Sequence, residues 1–149
     1  MLKWSRGRRE QPAVVQGTIE IGRPWARAGG RLPGFLVGGF LTIANRGAES
    51  DRLAGAGSPA SGGAAELQGI KVVGSVIQMV PLAHGVVIQA GSTIELKPRG
   101  YHLLLHGFKT APSVGSRLPV TLTFERAGTV EVELVVEPPG PVGDAAFDE

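Results

Sequence analysis

Short apolar runs punctuated by glycine and proline set the pattern of this chain, which carries 23 Gly and 11 Pro in 149 residues. Helical 3.6-residue periodicity is nearly absent. The runs have the length and spacing of strands in an all-β sandwich or barrel. Thr18-Ile-Glu-Ile21 alternates. Phe35 to Ala44 is almost continuously apolar, which predicts a central strand. Gly38 and Gly39 inside it predict a bulge or a close backbone approach. Asn45-Arg-Gly47 ends it as a turn. Ala54 to Ala65 is rich in Gly, Ser and Ala, with a Ser58-Pro59 bend, and reads as a loop with short strand flanks. Further runs cover Ile70 to Val80, Val86 to Gln89, Thr93 to Leu96 and Tyr101 to Phe108. The clearest local pattern closes the chain. Val120, Leu122 and Phe124 share one face, as do Val130, Val132, Leu134 and Val136, and Arg126-Ala-Gly128 joins the two runs as a hairpin.

Length fits one domain, with enough chain to bury a full core. The expected division is a basic tail over 1–16, a β-sandwich over 17–137 and a Pro/Gly-rich acidic tail over 138–149. The formal charge of +2 conceals an asymmetry: Lys3, Arg6, Arg8 and Arg9 supply +4, which leaves −2 for the remainder. The basic end reads as a solvated tail, with contact to anionic lipid or nucleic acid as the alternative. No basic-aromatic interleaving marks a nucleic-acid surface, so no nucleic acid is expected as a partner. No apolar run approaches the ~20 residues of a membrane-spanning helix. The basic start has no apolar segment behind it, so the chain reads either as an exported protein whose leader has been removed or as a cytoplasmic one.

There are no cysteines, which excludes disulfides, thiolate metal sites and a Cys nucleophile. No nucleophile-elbow, Walker, zincin or dinucleotide fingerprint is present, so an enzyme is not expected. The chemistry on offer is softer. Met79 closes one apolar run and His102 opens another just after a Gly-bearing turn. A thioether and an imidazole on neighbouring strands suit Cu(I). The bland alternatives are a space-filling methionine and a histidine hydrogen-bonded to backbone. His106 falls four residues after His102, about 13 Å along an extended strand, so the two cannot clamp one ion unless the strand bends. It reads otherwise as a polar cap. His84, in the Ala83-His-Gly85 turn, is either a solvated turn residue or an extra nitrogen donor.

Several passages in order carry a family resemblance: Trp25-Ala-Arg-Ala28, Asn45-Arg-Gly47, Asp51-Arg-Leu-Ala-Gly-Ala56, Ala65-Glu-Leu-Gln68, His102 in its strand, and Val120 to Val130. Together, over roughly Thr18 to Val136, they resemble the periplasmic copper chaperones of the PCuAC (DUF461) type. The family's ligand signature is His, ten residues, Met, about twenty-one residues, then His-x-Met. In this chain Met79 follows position 68 after ten residues and His102 follows Met79 after twenty-two. Gln68 stands where the signature has its first His, and Leu104 where it has its last Met. Gln68 offers a hard oxygen to a soft ion, and Leu104 makes the site more apolar.

The resemblance implies a single Greek-key β-sandwich of cupredoxin-like type. It implies an extracytoplasmic copper-handling protein that binds Cu(I) through Met79 and His102, with His84 or His106 as possible additions, in a weakened site. It would pass the ion to a copper-accepting protein such as a respiratory oxidase. A monomer is expected. The alternative is a ligand-depleted relative acting as a metal-independent binding or assembly module.

Overall fold

The computed structural model describes residues 13–28, 35–58, 65–98, 100–108 and 112–138. Eleven strands are present: β1 (Val14–Gln16), β2 (Ile19–Ala28), β3 (Phe35–Asn45), β4 (Asp51–Gly57), β5 (Ala65–Val73), β6 (Val76–Pro81), β7 (Val86–Ile88), β8 (Thr93–Leu96), β9 (His102–Phe108), β10 (Arg117–Phe124) and β11 (Gly128–Val136). Their hydrogen-bonded order is β6-β5-β9-β3-β2-β11-β10-β4-β7, with β1 added to β2 and β8 to β3. Only β11 and β2 pair in parallel among the described strands. The all-β architecture expected from the pattern is the observed one.

Alternation places the core. Ile19, Ile21, Val37, Ile43, Leu53, Leu103, Leu105, Val120, Leu122 and Leu134 are fully buried in one apolar cluster. Strand β3 is central, as its unbroken apolar run predicts. Its first half pairs with β9 and its second half with β8, while β2 runs along its other side. Gly39 is a close approach. A Cβ there would sit 3.0 Å from a Leu134 methyl and 3.2 Å from the Leu103 Cβ, so a larger residue would push the two sides of the core apart. The closing hairpin is found as read, with Val120 opposite Val132 and Leu122 opposite Val130.

Three local readings are corrected. Ile70 to Val80 is not one strand: Gly74 takes φ 63° and the chain doubles back, so β5 and β6 form a hairpin with Val73 opposite Val76. The apolar flanks Val72-Val73 and Val76-Ile77 hid the reversal, although Gly74-Ser75 between them is a two-residue hairpin signal. Ala54 to Gly57, in the stretch read as a loop with short strand flanks, is strand throughout: it belongs to β4 and pairs with β10. Val14–Gln16, within the stretch read as a tail, forms β1 against β2. The rest of that stretch up to residue 12, the Ser58-Pro59 bend beyond Ser58, the loop over 59–64 and the acidic tail from 139 onward lie outside the described residues.

One irregularity positions the site. Gly22 is opposite Thr42 but Trp25 is opposite Phe40, so β2 carries one extra residue there. Arg23 absorbs it in the left-handed region, at φ 52°. Such a bulge reverses which residues face the core. Before it Ile19 and Ile21 point inward; after it Ala26 does. Trp25 is thereby turned to the outer face of the sheet, beside Phe40.

Candidate functional site

The outer faces of β2, β3, β9 and β5 carry one continuous row of side chains. The Trp25 and Phe40 rings are 4.5 Å apart between centroids, and Phe40 and His102 are 6.4 Å apart. Gln68 is the register partner of His102 on the next strand. The alternation that buries Leu103 and Leu105 in the core sends His102, Leu104 and His106 to this opposite face. The row is not a solvent face at its centre: Phe40 and His102 are each 0% exposed and Gln68 is 7% exposed.

His102 is a buried polar group with half its hydrogen bonding satisfied. Its Nδ1 lies 3.0 Å from the Gly100 carbonyl oxygen. A carbonyl only accepts, so Nδ1 carries the proton and donates. Nε2 is then left as a bare lone pair. That atom is buried and has no hydrogen-bond partner. Burial pushes the imidazole below its ordinary value of 6.5, and the Gly100 hydrogen bond opposes this only in part. The ring is therefore neutral around pH 7, in the tautomer that a metal ligand needs. Leaving a buried acceptor unpaired costs about 1–3 kcal/mol.

Met79 shares this face. It is opposite Ile70, which alternation places on the same side as Gln68. It is half-buried, two strands from His102, or roughly 10 Å across the ladder, and one two-residue step along it. The two soft donors are thus on one face at one edge of the sheet, with Gln68 between them and Leu104 beside them.

The other two histidines stand apart from the His102–Gln68 pair. His106 is on the same outer face, four residues along β9, and its Nε2 is 3.3 Å from a carboxylate oxygen of Glu66. His84 is exposed, and its turn is tied to β4 by the Arg52 Nη1, which donates to the His84 carbonyl at 2.7 Å. Among the described residues no three His, Asp or Glu side chains come together as a metal cluster.

Sequence reading missed three contributors. Phe40 was hidden inside a continuous apolar run; the alternation of β3, with Val37, Leu41 and Ile43 in the core, turns it to the opposite face beside Trp25. The Gly100 carbonyl lies in a loop with no side-chain signal. Glu66 accepts a 2.9 Å hydrogen bond from Gln68 Nε2; its i, i+2 spacing from Gln68 on an extended strand was the available clue.

Comparison with known proteins extends the picture. The family model described as "Putative lipoprotein LpqE-like" matches residues 19–136. "Putative lipoprotein Lxx21020" of Leifsonia xyli subsp. xyli is 28% identical over 128 residues, covering 86% of this chain and 75% of that protein. Among solved structures, the copper-bound PCuAC domain from PmoF2 superposes with a TM-score of 0.69 at 23% identity, covering 87% of this chain and 100% of that domain. The apo form of the PmoF2 domain gives 0.68 at 25% identity, covering 87% of this chain and 97% of that one. The resemblance to PCuAC domains and the cupredoxin-like fold expected from the sequence both hold.

Proposed function

Because the chain belongs to the LpqE-like family and folds as PCuAC domains do, we propose that it is a copper-handling protein that binds Cu(I) at the outer edge formed by β9, β5 and β6. The observation that carries this reading is the His102 ring: buried, neutral, pinned through Nδ1, with an unpaired lone pair at Nε2. His102 Nε2 and the Met79 sulfur are the donors. The copper bound by the PmoF2 domain supports the ion's identity. The lipoprotein description of the family supports an extracytoplasmic location.

Each group has a definable task. The Gly100 carbonyl fixes the ring's orientation and tautomer. Phe40 and Trp25 close its far side with apolar surface, which disfavours water as a competing ligand. Met79 supplies a donor that protons do not compete for and lies on an edge strand where an acceptor can approach. With Gln68 and Leu104 in place of soft donors, the ion is held by few ligands and is given up readily. That suits delivery to a copper-accepting protein, of which a respiratory oxidase centre is one candidate.

Competition against a Cu(I) chelator tests this. The wild type takes up one equivalent, and His102→Ala and Met79→Leu each lose at least tenfold in affinity. Equal binding by all three proteins would remove the assignment. A metal-independent binding module is the second reading. It is favoured by the two lost ligands and by the apolar β5–β6 hairpin, where Val72 is 63% and Ile77 56% exposed. It predicts no rise in melting temperature with Cu(I), whereas a native-state ligand raises it.

A further inference from the structure

The orphaned Nε2 of His102 has an amide side chain on the next strand, and that amide already has another partner. Gln68 is directly opposite His102 in the ladder and is buried with it. A primary amide in that place would ordinarily donate to a bare imidazole nitrogen, because both groups are otherwise penalised for burial. Here the amide nitrogen is turned to Glu66 Oε1, to which it donates at 2.9 Å, and its second N–H makes no bond to His102 Nε2, which is left without a partner. The end of the amide facing a carboxylate has to be its NH2, since a carboxylate only accepts. The second oxygen of Glu66 is itself engaged by His106 Nε2 at 3.3 Å. The Glu66 carboxylate thus has His106 beside one oxygen and the Gln68 amide bonded to the other. Leu104, opposite Glu66, has no polar group with which to compete.

We infer that Glu66, steadied by His106, is a positioning residue: it restrains the Gln68 amide so that it does not donate to His102 Nε2, and so keeps that lone pair open for a soft metal ion. The inference deepens the copper reading and rests on it for its purpose, but its structural content concerns the metal-free protein. It also gives the substituted position a role. Gln68 is not a lost ligand alone but a potential plug, and Glu66 determines which way it is turned.

The test is a cycle read in two ways. In metal-free protein, the nitrogen resonances of the His102 ring report whether Nε2 accepts a hydrogen bond. Cu(I) competition reports the cost of that bond to binding. Glu66→Ala should move the Nε2 resonance toward the hydrogen-bonded value and lower Cu(I) affinity by about tenfold, the scale of one net hydrogen bond. Glu66→Gln, whose amide oxygen can still accept from Gln68, should stay close to wild type. In the Gln68→Leu background, Glu66→Ala should change neither quantity. An unmoved Nε2 resonance in Glu66→Ala, or an equal loss of affinity with and without Gln68, overturns the inference. If the wild type binds no Cu(I), the proposed function falls, and the ring resonance still decides whether Glu66 restrains Gln68.

Discussion

The two ends of the sheet are built differently. At one end, β10, β11, β2 and β4 bury long alternating faces: Leu122, Phe124, Val132 and Leu134 are at most 2% exposed. The turn between β10 and β11 is fastened by Asp51. Its carboxylate accepts from the backbone amides of Arg52, Arg126 and Ala127 at 2.7 to 2.9 Å. At the other end, β6 is the edge of the sheet among the described strands, and every residue from Ile70 to Gln78 is exposed. The candidate site lies on that open wing, on the face away from the core. Substitutions such as those at positions 68 and 104 can change its donors without disturbing the packing that holds the sandwich. The difference separates stability, which belongs to the closed end, from ligand chemistry, which belongs to the open one.

The separation is most severely tested from the closed end. Phe124→Ala should cost about 3–5 kcal/mol in denaturant unfolding, the range for emptying a buried aromatic site. At temperatures where the variant stays folded, its Cu(I) affinity should match wild type. A large loss of affinity in the folded variant would show that the two ends are coupled. Asp51→Ala should come next, at about 3 kcal/mol, because the amides left behind near a hairpin turn cost roughly 1–3 kcal/mol each where they cannot reach water. A cost below 1 kcal/mol would mean that the turn holds without its carboxylate.

How much of this could be read from the chain divides along the same line. The closed end was plain: strict alternation in Val120 to Phe124 and Val130 to Val136 gave both the strands and their inward faces. At the open end the sequence showed the histidine and the methionine but not their surroundings. The β5–β6 reversal was masked because Val72, Val73, Val76 and Ile77 are apolar yet exposed, so hydrophobicity there does not report burial. The aromatic row depends on a one-residue bulge at Arg23, which no periodicity reveals. The state of the His102 ring depends on a backbone carbonyl, which has no side-chain signature at all.

A smaller effect concerns protons. Burial holds the His102 pKa below its unfolded value of 6.5, so the unfolded chain binds the proton more readily. The stability that comes from a neutral buried ring is complete above about pH 6.5 and is lost as pH falls through the window down to the depressed native value. Wild type should therefore lose more stability than His102→Gln between pH 7.5 and pH 5 in metal-free buffer. Parallel losses in the two proteins would place the ring in contact with water and contradict its burial.

The smallest expected change is the sharpest statement of the contrast. Ile77 is exposed on the edge strand, opposite Val72 across the hairpin. It contributes nothing to the apolar cluster of the body. Ile77→Ser should alter unfolding free energy by no more than about 0.5 kcal/mol, the usual range for surface positions. A buried isoleucine of the body such as Ile43 would cost several times that. Because position 77 is two residues from Met79 along β6, the same variant also asks whether the strand itself is held by its apolar side chains or by the ladder to β5. If the ladder holds it, copper affinity stays within about twofold of wild type. A loss of stability above 1 kcal/mol would mean that the hairpin's apolar surface is part of the fold's own packing, and the division between a structural end and a chemical end would have to be redrawn.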